Sequence, residues 1–284
     1  MAFVVGVVGA GVMGADVALQ CAAAGHRVVL HDCDEVVLSR FVSDLPRSLR
    51  GYRLLGAKLG TGKADELLTR IRTSTDLADL GPVDWIVENV TEDLGVKQQV
   101  YSALSGYCRP DTRYGVNTSC IPITRIAALL PHPERVIGMH FMNPVPVKRI
   151  VEVVQGFHTD QQTILAARGF LASLGKDAIV VQDSPGFVAN RLSHLFMNEA
   201  AFLVHDGVAA PAEIDAIFRD GYGHKMGPLE TADLIGLDTV LRSLEVLYLH
   251  YQDPKFRCCP LLRKMVDAGV TGKKAGKGFY EYAE

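Results

Sequence analysis

Short β-branched runs alternate with stretches of helical spacing through most of the chain: Val4 to Val8, Val28 to His31, Trp85 to Val87, Arg113 to Asn117, Val136 to Met139, Ile150 to Val154 and Ile179 to Val181. Alternation of this kind predicts a largely parallel sheet covered by helices. After Ser184-Pro185-Gly186 the pattern changes. From Phe187 to His205 apolar residues fall at helical spacing, and the segments that follow read as helix or loop with no convincing strand. The expected organisation is therefore an α/β domain over residues 1–183 and an all-α domain over residues 184–284.

Composition narrows the class without naming a chemistry. The chain of 284 residues is 48% hydrophobic and carries a net charge of -3, which describes a globular protein able to bury two cores. No apolar run reaches the roughly 18–20 residues of a membrane span, and neither charge nor motif points to nucleic acid. The apolar opening from Met1 to Gly9 lacks the basic start and small-residue cleavage site of a signal peptide and reads as a buried first strand. A cytoplasmic setting is expected. The six cysteines, Cys21, Cys33, Cys108, Cys120, Cys258 and Cys259, form neither a C-x-x-C pair nor a zinc-ligand spacing with histidine. Reduced thiols and no metal are the expectation.

The first strand runs into Gly9-Ala10-Gly11-Val12-Met13-Gly14, and the spacing from Val12 to Ala23 is that of a helix ending before Gly25. This is G-x-G-x-x-G in the strand, turn, helix setting that gives the motif meaning. Gly9 permits a tight turn, Gly11 lets the backbone approach a pyrophosphate, and Gly14 allows close helix packing, with the anion on the helix N-terminus beside Val12 and Met13. The second strand ends at Asp32, about 20 residues on, where a carboxylate accepts from ribose hydroxyls and repels a 2′-phosphate. A Rossmann-type domain binding NAD rather than NADP follows, although FAD uses the same glycine fingerprint.

Acid–base chemistry has one strong candidate. His140 follows the apolar strand Val136 to Met139, at a carboxyl end where open α/β sheets place their ligands. Twelve residues on, Glu152 interrupts the apolar run Ile150 to Val154, and a carboxylate in a strand core needs a partner. Such a pair suits alcohol oxidation, with imidazole taking the hydroxyl proton and the carboxylate orienting the ring. The residues alone leave a second reading open. A histidine beside a strand is often structural, and Glu152 has Lys148 and Arg149 as neighbours.

Taken together, the motifs resemble the 3-hydroxyacyl-CoA dehydrogenase family, including its bacterial 3-hydroxybutyryl-CoA members. The resemblance spans nearly the whole chain. It rests on the glycine motif, Val87-Glu88-Asn89-Val90-Thr91-Glu92, Asn117-Thr118-Ser119, His140-Phe141-Met142-Asn143-Pro144 and Val151-Glu152-Val153-Val154. It continues through Pro185 to Arg191, Met226 to Glu230, Gly236-Leu237-Asp238 and the closing Gly272 to Tyr280. By this resemblance His140 is the catalytic histidine and Glu152 its partner, and Ser119 and Asn190 hydrogen-bond the reacting oxygen. Glu92, Lys97 and Asn143 then line the nicotinamide side of the cofactor, and a homodimer forms through the C-terminal domain. Plainer roles stay open, with Ser119 capping the helix near Ile123 and Asn190 an ordinary helix N-terminal residue. The sequence departs from the family at Cys120, where serine is common, at Met142 for phenylalanine, at Lys225 for proline and at Thr231 for leucine. Those departures bear on the acyl pocket rather than on the catalytic pair.

From Pro46 to Ala64 stand Arg47, Arg50, Arg53, Lys58 and Lys63 with no acidic residue between. Such a stretch is either a solvated face or an anion dock. The resemblance favours the dock, with Arg50, Arg53 and Lys58 as substrate contacts for coenzyme A phosphates. An acidic acyl carrier protein suits the same patch, so oxidation of a short hydroxyacyl group such as glyceryl on a carrier, in polyketide extender-unit biosynthesis, is the alternative to a short-chain 3-hydroxyacyl-CoA. A non-catalytic NAD-binding protein is a third reading. The intact set of His140, Glu152, Ser119 and Asn190 argues against it.

Overall fold

Valine and isoleucine runs that are apolar on both faces have to be covered on both sides, and the chain meets that demand with a twisted sheet between helices. In the computed structural model, which describes residues 2–60 and 62–282, eight strands form one sheet. Met1 of the expected first strand and Thr61 of the basic stretch lie outside the described residues, as do residues 283 and 284. The strands are β1 (Val4–Val8), β2 (Arg27–His31), β3 (Ile71–Ser74), β4 (Trp85–Glu88), β5 (Arg113–Val116), β6 (Val136–Phe141), β7 (Ile150–Gln155) and β8 (Asp177–Gln182). Their order is β3-β2-β1-β4-β5-β6-β7-β8. The first six run parallel, β7 turns back antiparallel to β6, and β8 is parallel to β7.

The helices of this part are α1 (Val12–Ala23), α2 (Glu35–Leu54), α3 (Ala64–Leu68), α4 (Leu94–Tyr107), α5 (Ile123–Ala127) and α6 (Gln161–Ser173). Three start on an aspartate side chain that accepts from the first turn: Asp34 before α2, Asp93 before α4 and Asp160 before α6. Val5, Val7, Leu30, Met139, Phe141 and Phe170 belong to one core packed on one face of the sheet. Because side chains alternate along a strand, His140 points to the opposite face from Met139 and Phe141.

The chain divides into two compact units, Met1–Ser184 and Pro185–Glu284. The second is helical, with α7 (Ala189–His205), α8 (Pro211–Ala216), α9 (Pro228–Ile235), α10 (Leu237–Tyr251) and α11 (Pro260–Asp267). Two buried carboxylates organise it. Asp215 accepts from the backbone N–H of Leu229 and Glu230 at the start of α9 and from the Tyr280 hydroxyl at 2.7 Å. Asp233 accepts from Phe279 and Tyr280 N–H and from the Tyr282 hydroxyl, all at 3.0 Å. Burial raises the Asp233 carboxyl above its ordinary range, and these three donors pull it back. The closing Gly-Phe-Tyr segment is thus tied to α9 by Asp233 and to α8 by Asp215.

β3 is a strand that hydrophobic pattern does not reveal. Its sequence, Ile71-Arg72-Thr73-Ser74, buries only Ile71, and it lies at the sheet edge against β2. An edge strand with one apolar residue gives almost no periodic signal.

Candidate active site

The strand order reverses at the paired strands β1 and β4, the switch point at whose carboxyl ends sheets of this kind bind dinucleotides. Gly9 sits at φ +89°, and a Cβ there would lie 2.8 Å from the Asn89 carbonyl oxygen. A Cβ on Gly14 would fall 1.7 Å from the Gly9 carbonyl oxygen, so the turn and α1 can meet only through glycine. Gly11 is different, because a Cβ there would meet nothing within 4 Å. Its bareness leaves backbone open to whatever lies above it. As N-cap of α1, Gly11 offers no side-chain cap, the first turn holds no acid, and Val12 is 69% exposed while Met13 is half-buried. Those features fit a pyrophosphate on the helix N-terminus. Asp32, at the end of β2, accepts from Ala10 N–H at 2.7 Å through one oxygen and from Asp34 N–H at 3.0 Å through the other. The carboxylate is thereby held beside the glycine turn with acceptor sites remaining.

The antiparallel register of β6 and β7 sets His140 opposite Glu152. The imidazole Nδ1 lies 2.7 Å from Glu152 Oε2, and both side chains are buried. With Nδ1–H donated to the carboxylate, the lone pair sits on Nε2. Ser119 Oγ stands 3.4 Å from that Nε2, brought there by the turn after β5. Asn117, one residue past β5, donates from Nδ2 to Asn89 Oδ1 at 2.8 Å and accepts Phe141 N–H at 3.2 Å. Its side chain ties the ends of β4, β5 and β6 together next to His140. Asn143 is exposed just beyond β6, ahead of a cis peptide to Pro144. Asn190 occupies the first turn of α7 in the second unit, where its carbonyl oxygen lies 2.9 Å from His194 Nδ1.

Two of the expected residues, Lys97 and Arg53, are engaged by partners within the first unit. Lys97 has no exposed side-chain surface, and its ammonium is 2.7 and 2.9 Å from the two oxygens of Glu88. Tyr101 donates to the same carboxylate at 3.1 Å, and Val90 N–H at 2.7 Å. Burial raises the Glu88 carboxyl, and Lys97 is the main influence opposing that rise. Arg53 Nη2 donates to the carbonyls of Gly60 and Gly62, closing the loop after α2. Arg50 is exposed, and Lys58 lines a cavity of about 390 Å³ together with Lys148, Arg149 and Lys176.

Sequence reasoning also missed Glu88. It ends β4 directly after the apolar run Trp85 to Val87 and is buried like Glu152 in β7, and the same demand for a partner leads to Lys97. Among the described residues no cluster of three or more histidine, cysteine, aspartate or glutamate side chains is placed to hold a metal ion. No helix among them is long and apolar enough to cross a membrane.

Fold and crevice together define a dinucleotide-binding protein of the Rossmann class. Residues 4–184 match the 3-hydroxyacyl-CoA dehydrogenase NAD binding domain, and residues 186–282 match the C-terminal domain of the same family. The chain belongs to the 3-hydroxyacyl-CoA dehydrogenase family. It is 42% identical to a probable 3-hydroxybutyryl-CoA dehydrogenase of Bacillus subtilis, covering 98% of this chain and 96% of that one. It is 43% identical to a protein of the same description from Deinococcus radiodurans, covering 98% and 99%. Among solved structures, (S)-3-hydroxybutyryl-CoA dehydrogenase from Ralstonia eutropha superposes with a TM-score of 0.94 over the full length of both chains at 39% identity.

Proposed function

We propose that this protein oxidises a short-chain 3-hydroxyacyl-CoA to the 3-ketoacyl-CoA with NAD. The observation that carries the reading is the buried His140 and Glu152 pair at the carboxyl end of β6, in a domain of the NAD-binding family. His140 Nε2 takes the proton of the substrate 3-hydroxyl, and Glu152 holds Nδ1–H and stabilises the imidazolium that results. NAD, when bound, accepts the hydride that leaves the same carbon. The Ser119 hydroxyl, within reach of Nε2, donates to the reacting oxygen as charge develops. Asn190 supplies a second donor, and Asn143 and Glu92 border the nicotinamide. Gly9, Gly11, Gly14 and Asp32 bind the pyrophosphate and adenosine ribose.

Coenzyme A is the proposed acyl carrier because the relatives described above are named for coenzyme A thioesters, while no observation favours a carrier protein. Assembly as a homodimer through the second unit is part of the proposal. Leu192, Ile217, Tyr222, Leu234 and Leu249 there are each more than half exposed, apolar surface of the kind a partner would cover. Light scattering at micromolar concentration tests that assembly.

The test of the reaction is NADH consumption by the purified protein with acetoacetyl-CoA, beside the same acyl group on a carrier protein. A kcat/KM of about 10⁴ M⁻¹s⁻¹ or more with the coenzyme A ester is the expected result. Efficient turnover only of the carrier-bound group would overturn the choice of substrate.

A further inference from the structure

Glu92 was expected to border the cofactor, yet one of its oxygens is committed elsewhere. Oε1 accepts from Thr118 Oγ1 at 2.6 Å, from Ser119 N–H at 3.0 Å and from Cys120 N–H at 2.9 Å. Thr118 Oγ1 in turn accepts from Ile121 N–H at 3.1 Å. The turn from Thr118 to Ile121 is therefore wrapped around a single carboxylate oxygen that reaches it from the loop between β4 and α4. Hydrogen bonds to a charged acceptor are about twice as strong as neutral ones, so three on one oxygen make a firm clamp. Thr118 and Cys120 are both 3% exposed, which keeps water from two of these donors, while the Ser119 N–H bond and the Glu92 side chain face solvent.

From this we infer that Glu92 is a positioning residue for Ser119. The inference rests on the role proposed above for the Ser119 hydroxyl. The clamp fixes the backbone on both sides of the Ser119 side chain and so holds Oγ at 3.4 Å from His140 Nε2. It also uses up two backbone N–H groups that in a bare turn would converge on an anion. Ser119 and Cys120 consequently do not supply a backbone oxyanion hole. Stabilisation of the reacting oxygen from this turn falls to the Ser119 hydroxyl. Glu92 thus acts on the chemistry through the turn, with no need to touch the substrate.

The experiment is a double-mutant cycle on the full-length enzyme, measured as kcat with NAD and substrate both saturating. Ser119→Ala is expected to lower kcat about 10²-fold or more, the size of a lost oxyanion donor. Glu92→Ala and Thr118→Val are each expected to lower it about 10- to 100-fold, since displacement of an aligned group by about 1 Å costs that much. Thr118→Ser should restore most of the loss by returning the hydroxyl. In the Ser119→Ala background, Glu92→Ala and Thr118→Val should cost less than about 3-fold further, because residues acting as one unit are not additive. Thr118→Val serves where Glu92→Ala folds poorly, and thermal melting of each variant checks the fold. Multiplicative losses, or kcat within 2-fold of the parent for both Glu92→Ala and Thr118→Val while Ser119→Ala is impaired, would overturn the positioning role alone. An unimpaired Ser119→Ala would instead remove the role assigned to Ser119, and this inference with it.

Discussion

His140 and Glu152 are register partners across β6 and β7, with imidazole Nδ1 2.7 Å from the carboxylate. Their alignment is a consequence of backbone pairing rather than of loop conformation. Directly opposed residues of an antiparallel pair bring their Cβ atoms to about 4.5–5.5 Å, which two planar side chains can span. The geometry of the pair is accordingly set by the pairing of β6 and β7, and the turn after β5 brings Ser119 Oγ within 3.4 Å of the imidazole.

Removal of the imidazole should leave that scaffold standing. His140→Gln is expected to lower kcat by about 10² to 10⁴, the usual size of general acid–base catalysis, while NADH binding followed by fluorescence is unchanged. Glu152→Gln keeps an acceptor for Nδ1–H but not the charge, so a smaller loss confined to kcat is expected. Parent-like kcat in His140→Gln would remove this histidine from the mechanism.

Lys97 should behave as part of the core. Taking away one partner of a buried ion pair leaves an uncompensated charge, and Lys97→Met should destabilise the fold by about 3–5 kcal/mol in urea titration. Pairing it with Glu88→Leu should recover much of that loss, because two apolar groups then replace two charges. KM for NAD should stay within a few fold of the parent wherever the variant is folded. A large rise in that KM at full stability would return Lys97 to the cofactor site.

The contrast between Lys97 and His140 shows what the sequence could convey. Strand ends were legible because apolar runs stop there, and so His140, Asp32 and the glycine turn were placed at the correct edge of the sheet from pattern alone. The partner of a buried charge is not legible in the same way. Glu152 lies 12 positions from His140 and Glu88 lies 9 from Lys97, but only the strand register and the course of α4 say which charge meets which. The edge strand β3 and the carboxylate clamps of Asp215 and Asp233 were silent for a related reason. Their signal is polar, and it is carried by backbone groups that every residue possesses.

The basic stretch divides into residues that hold the fold and residues that face solvent. Arg53→Ala should loosen the loop closed through Gly60 and Gly62, seen as a lower melting temperature, while KM for the acyl-CoA changes little. Arg50→Glu and Lys58→Glu should leave melting nearly unchanged and raise that KM several fold. The effect should shrink as salt rises, since exposed charges interact through a screened potential. A KM unaffected by both reversals at low salt would make the stretch a solvated face.

A histidine outside the site should set the acid limit of stability. His26 is buried beneath Phe3 and Phe170, its Nδ1 accepts Phe3 N–H at 3.1 Å, and its Nε2 lies 2.8 Å from Ser173 Oγ. The Ser173 hydroxyl is already donated to the Phe170 carbonyl at 2.6 Å, so Nε2 is the protonated nitrogen and the ring is neutral. Burial pushes this imidazole below its ordinary value. The unfolded chain therefore binds a proton that the folded chain refuses, so stability is complete above the unfolded value of about 6.5 and declines as pH falls below it. Burial depresses His31 as well, with the same sign. Urea midpoints measured from pH 8 to pH 5 should show this decline, and His26→Asn should be less stable at pH 8 yet lose less on acidification. A variant that keeps the full slope of the parent would show that the proton is taken up elsewhere.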